Sequence, residues 1–146
     1  MEKNYLDAVS MLEIAAQHAY CAEHLLQQNA EVSFDDHLSV DALLPVTSLI
    51  YLAFELTLKA FLLHEHRPVR QQVKLIELIE LNDHLGLSKH EKELVNTLCR
   101  VQAFRKGVDY MIWENRQQLQ VFCEQTMGLY SRLHHVVPLE LQREYQ

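Results

Sequence analysis

Residues 49–66 read LIYLAFELTLKAFLLHEH, and between Leu49 and Leu63 only Glu55, Thr57 and Lys59 interrupt an apolar and aromatic run. At about 100° per residue, Ser48, Glu55, Lys59 and His66 fall in one stripe about 40° wide, with Thr47 and Thr57 the only polar residues off it. A helix that is apolar almost all round is expected to be surrounded by protein, so its two charges should be buried or line a narrow cleft. Glu55 and Lys59 stand four residues apart and can pair, but such a pair does not by itself offset the burial of two charges. A further partner is therefore expected. Extended back to Leu43 the stretch reaches the length of a membrane span. Pro45 at its start and two central charges, each costing roughly 2.5–3.5 kcal/mol in a bilayer, argue against one.

The rest of the chain fits around a core helix. With 146 residues, 49% of them hydrophobic, it is long enough for one sizeable core and short for two, so residues 1–146 read as a single domain. Three glycines and three prolines leave few turns, which argues for a few long helices rather than a sheet. A formal charge of −7 repels a nucleic-acid backbone at long range. That excludes a DNA-coating role and confines any RNA contact to a local basic patch. Cys21, Cys99 and Cys123, odd in number and each in apolar helical context, read as reduced, buried thiols. No apolar segment precedes the first helical periodicity, so no signal peptide is expected and the cytoplasm is the expected compartment.

Periodicity marks five helices. The first spans about residues 4–28, with Tyr5, Ala8, Val9, Leu12, Ala15, Ala16, Ala19, Ala22 and Leu26 on one side and Asp7, Glu13, Gln17 and His24 on the solvated one. The alanines of that face suit a close helix-to-helix seam. Residues 29–41 carry turn formers and acids without a clear period and read as the longest and most mobile connection. A second helix covers about residues 44–66, with Pro45 in its first turn. A third covers about 69–81 and stops at Asn82-Asp83-His84-Leu85-Gly86; Arg67, Arg70 and Lys74 would form a small basic strip on it. Ser88 and Glu91 are spaced as a capping box that opens a fourth helix, running to about residue 104 or beyond. The fifth covers about 113–135 and turns Leu119, Phe122, Cys123, Leu129, Tyr130, Leu133 and Val137 to one side before Pro138. The core thus spans about residues 4–137, with a frayed tail at 138–146. The fold expected is all-α, a four- to five-helix up-and-down bundle.

Arg105 continues the fourth helix's apolar stripe of Leu94, Leu98 and Val101, so a guanidinium falls where a core residue is due. An inward carboxylate and an inward guanidinium are natural bidentate partners, and Glu55 and Arg105 are expected to meet. Either this is an ion pair that fixes helix register, or it marks a pocket.

The run Leu52-Ala53-Phe54-Glu55-Leu56-Thr57-Leu58-Lys59-Ala60-Phe61-Leu62-Leu63 resembles the second helix of HEPN domains. Phe104-Arg105-Lys106-Gly107-Val108-Asp109-Tyr110 stands where that family carries its Arg-led motif. The resemblance implies an all-α bundle, usually dimeric. Many members are metal-independent endoribonucleases, in which an Arg followed by a His after four to six residues forms a composite site across the dimer. Others are inactive binding modules or partners of nucleotidyltransferase-like proteins. Here the positions where that His could fall are Tyr110, Met111 and Ile112, and Arg132 precedes His134 and His135 too closely. A phenol titrating near 10 is a poor proton shuttle at neutral pH, and losing such assistance costs roughly 10²–10⁴ in rate.

The reading is a non-catalytic HEPN-like binding module, a homodimer whose pocket residues are Glu55, Lys59, Arg105, Asp109 and Tyr110. RNA or a nucleotide is the ligand implied, and a nucleotidyltransferase-like or antitoxin protein the partner. A weak endoribonuclease and a purely structural subunit are the alternatives. No cofactor or metal is expected: neither Glu-x-x-His nor His-x-x-x-His occurs, and His64-Glu65-His66 and His134-His135 place neighbours about 100° apart.

Overall fold

The computed structural model describes residues 7–28, 30–33, 39–67, 73–103 and 116–136. It is an all-α bundle. Among the described residues lie five helices: α1 (Ala8–Gln27), α2 (Leu43–His64), α3 (Leu75–Leu81), α4 (Lys89–Ala103) and α5 (Arg116–His135).

α1 starts where Asp7 accepts a 2.7 Å bond from the Ser10 N–H, and the same bond holds the Asp7 carboxyl below its ordinary range. Its alanine-rich side is inward as expected: Leu12, Ala15, Ala16, Ala19 and Ala22 are buried, and Ala8, Val9 and Leu26 pack against the core. α1 lies against α2 more extensively than any other pair of helices.

The connection between them corrects the sequence expectation. Residues 29–41 are not without regular structure: β1 (Glu31–Ser33) and β2 (Ser39–Asp41) form an antiparallel pair in which Glu31 faces Asp41 and Val32 faces Val40. Ala30, left-handed at φ 53°, sends its N–H back to the Leu25 carbonyl and accepts from the Ala42 N–H at 2.6 Å. The end of α1 is thereby clamped to the start of α2, where Asp41 caps the Leu43 N–H.

α2 is the core helix. Val46, Ile50, Ala53, Phe54, Leu58 and Leu62 are wholly buried, and α1, α3, α4 and α5 all pack on it. It is also the one described helix long and apolar enough to cross a bilayer, but more than half of its apolar window is covered by protein.

α2 ends two residues earlier than the sequence suggested. His66 stands outside it with φ 58°, its N–H bonded to the Leu63 carbonyl and the next N–H, of Arg67, to that of Leu62. This paired closure with a left-handed residue is the Schellman arrangement, usually made by glycine. Arg67 then reaches the Leu81 carbonyl.

α3 starts at Leu75, not near 69, with Lys74 before it in extended backbone. The expected basic strip of Arg67, Arg70 and Lys74 is therefore not one face of a helix: Arg67 and Lys74 lie off it and Arg70 lies outside the described residues. Asn82, buried, ends α3 and donates to the Leu78 carbonyl at 2.9 Å and the Leu58 carbonyl at 3.2 Å, tying this turn to the middle of α2. Gly86 follows a short 3₁₀ turn (Asp83–Leu85) with the left-handed backbone that suits glycine, φ 64°.

The capping box on α4 is reciprocal: the Ser88 N–H donates to Glu91 Oε1 at 2.8 Å and the Glu91 N–H to Ser88 Oγ at 3.1 Å. Arg132 of α5 grips the same carboxylate through Nε at 2.9 Å and Nη2 at 2.8 Å. Burial acts to raise the Glu91 pKa, but the bonds from Ser88 and Arg132 outweigh it and hold the group lowered.

On α5, Leu119, Phe122, Cys123, Leu129, Tyr130 and Leu133 are inward as expected, and Val137 lies outside the described residues. The cysteines divide: Cys123 is buried, its thiol pushed up to about 12 by burial and then by Glu124, Cys99 is half-buried, and Cys21 is exposed, against expectation. Cys21 lies beside the alanine face rather than on it.

Replacing His66 with glycine removes a left-handed side-chain penalty from the end of α2 without disturbing either backbone bond. Urea denaturation of His66→Gly should show a gain of about 1 kcal/mol.

Candidate functional site

The polar stripe of α2 points away from the buried arc. Lys59 Nζ donates to Glu55 Oε1 at 2.8 Å, with Lys59 13% and Glu55 24% exposed. The pair is mostly buried at the rim of the helix, and its remaining exposure is to water. This corrects the expectation of a helix enclosed all round: Leu44 and Leu52, which border the stripe, are each 39% exposed.

Tyr51 lies one turn before Glu55, and Cys99 of α4 faces it. Burial, then the Glu55 carboxylate, then Cys99 push the phenol pKa up. Burial also raises the Cys99 thiol, opposed by backbone contacts at Ile76 of α3 and at Cys99 itself. Three helices meet here. Phenol and thiol both stay protonated at neutral pH, so they offer hydrogen-bond donors rather than a base or a thiolate nucleophile. With one carboxylate and one ammonium beside them the group is neutral overall, and it suits binding a polar molecule better than transforming one.

Of the site expected from sequence, the structure brings Glu55 and Lys59 together. Arg105, Asp109 and Tyr110 lie outside the described residues, and so does the pairing of Glu55 with Arg105. The stripe that leads toward Arg105 is inward for as far as it is described, with Leu94, Leu98 and Val101 all buried. Sequence reasoning missed Tyr51 and Cys99. Tyr51 is the i−4 neighbour of Glu55 and could have been placed beside it, whereas Cys99 needed the packing of α4 on α2.

The histidines add no metal centre: among the described residues no three His, Cys, Asp or Glu side chains are grouped to hold an ion. Glu65 instead sits 3.5 Å from His84 Nε2 and 3.8 Å from Arg67 Nη1. Comparison of the chain with protein-family models, with curated proteins and with solved structures finds no match.

Lys59→Ala leaves the mostly buried Glu55 carboxylate without its partner, so it should lower stability by about 1–3 kcal/mol in urea denaturation. A loss of about 3–5 kcal/mol would instead mark a dehydrated pair left half broken.

Proposed function

We propose that this chain is a non-catalytic, HEPN-like binding module that works as a homodimer in the cytoplasm, with RNA or a nucleotide as ligand. Glu55 and Lys59, with Arg105, Asp109 and Tyr110, form its pocket. What carries the reading is the outer face of α2, where half-exposed Leu44 and Leu52 border a partly buried ion pair. Apolar side chains around a polar centre suit a seam between two copies. In such a seam each copy's Glu55 and Lys59 would lie near the other's pocket, and Tyr51 would supply a hydroxyl donor.

The protonated state of Tyr51 and Cys99 favours binding over cleavage, as does the sequence after Arg105, where Tyr110, Met111 and Ile112 replace the expected histidine. The resemblance further suggests a nucleotidyltransferase-like or antitoxin protein as partner of the dimer. The competing readings, a weak metal-independent endoribonuclease and a purely structural subunit, separate cleanly by experiment.

Light scattering coupled to size-exclusion chromatography should return twice the chain mass, and Leu52→Glu should return the single mass. Single-stranded RNA should bind the wild type, about tenfold more weakly Arg105→Ala, and remain intact in chelator. A monomeric wild type contradicts the dimer, cleavage abolished by Arg105→Ala establishes the nuclease, and a dimer that binds neither RNA nor nucleotides establishes the structural subunit.

A further inference from the structure

On the side of the bundle away from the α2 stripe, α1 and α5 diverge and leave a trough. α1 packs along α2 but touches α5 sparingly. Two hollows of about 170 Å³ and about 380 Å³ lie between the two helices, and Glu23, Met127 and Ser131 border both, so they are continuous. The first lies between Ala16 and Tyr20 of α1 and His134 and His135 of α5; the second lies between Leu26 of α1 and Glu124 of α5. The helices therefore run antiparallel here, and from residue 16 to residue 27 the trough is about 16 Å long, three helical turns.

Its floor is apolar and low. Ala16 and Ala19 are almost fully buried, and beside them Met127 offers an adaptable surface. Gly128 borders the second hollow in mid-helix, where glycine costs stability, and a Cβ built there meets nothing within 4 Å. Packing within the chain gives no reason for a glycine at this position, and its missing side chain leaves room for an outside backbone to approach. Tyr20, 71% exposed, stands at one end as a free aromatic anchor.

The rims decide what fits. Glu23 on α1 and Glu124 on α5 are exposed, and among the described residues bordering the trough none is Lys or Arg. Burial, and then His135, depress the His134 pKa, so its ring, stacked on Tyr130 at 6.0 Å, adds no positive charge at neutral pH. A second copy of this chain would bring the same acidic rims against each other, in a protein of net charge −7.

We infer that the α1–α5 trough docks a basic amphipathic helix of a partner protein. About three turns of the helix lay its apolar side on Ala16, Ala19, Met127 and Gly128, and its Lys or Arg residues flank Glu23 and Glu124. This surface is separate from the α2 face, so it stands or falls independently of the dimer and of any RNA ligand.

The test uses the full chain labelled with ¹⁵N and two synthetic amidated peptides of roughly 14 residues. They share Leu and Ala on one helical side, and the other side is all Lys in one and all Glu in the other. The Lys peptide should shift amides of residues 16–27 and 124–135, and the Glu peptide should not. Gly128→Trp should weaken the Lys peptide about tenfold or more by filling the trough, while Gly128→Ala folds at least as stably as the wild type. Glu23→Lys with Glu124→Lys should invert the preference to the Glu peptide. Absence of Lys-peptide binding up to about 1 mM, shifts centred elsewhere, or binding unaffected by Gly128→Trp and by charge reversal would overturn the inference.

Discussion

Burial of one arc of α2 is the constraint on which the rest of the structure depends. Val46, Ile50, Phe54, Leu58 and Leu62 have no measurable exposure, and side chains of this size contribute about 1.5–3 kcal/mol each when fully buried. Every other helix places its own apolar side on that arc. Once the arc is inside, the opposite side of α2 must lie at the rim, and Glu55 and Lys59 go with it. The site is thus a consequence of the core: the charges are carried on the central helix of the bundle, which holds Tyr51, Glu55 and Lys59 one turn apart.

Polar groups placed at helix ends steer the chain around that core. Asn82 uses its side-chain amide to join the end of α3 to the Leu58 carbonyl inside the bundle, and the Ser88 box, gripped by Arg132, fixes where α4 departs. Thr126, buried on α5, returns its hydroxyl to the Phe122 and Cys123 carbonyls. The Thr57 hydroxyl and Asn82 Oδ1 are buried without a hydrogen-bond partner among the described residues, a cost of about 1–3 kcal/mol each that the packing around α2 absorbs.

Much of this architecture was legible in the sequence, because period and caps are local. The alanine face of α1, the inward side of α5, the Ser88–Glu91 box and the stop at Asn82 all depend on residues within a turn or two of one another. What was not legible depends on contacts distant in sequence or on strands too short to alternate. The β1–β2 pair has three residues a side, fewer than a two-residue period needs to show itself. A wheel reveals which residues share a side of α2 but not whether that side is enclosed, so the pairing of Glu55 with Lys59 was foreseen while the exposure of Leu44 and Leu52 beside it was not. Cys99 entered the site only through the packing of α4 on α2, and the α1–α5 trough arises from the divergence of two helices, which neither sequence encodes alone.

The most direct test of this account compares Leu58→Ala with Leu52→Ala by urea denaturation in dilute protein, so that association does not enter. Leu58 lies in the centre of the arc, wholly buried, and Leu52 lies beside the stripe, 39% exposed. The account predicts a loss of about 2–5 kcal/mol for Leu58→Ala and under about 1 kcal/mol for Leu52→Ala. Equal losses, or the larger one at Leu52, would contradict it, because α2 would then be turned the other way in the bundle.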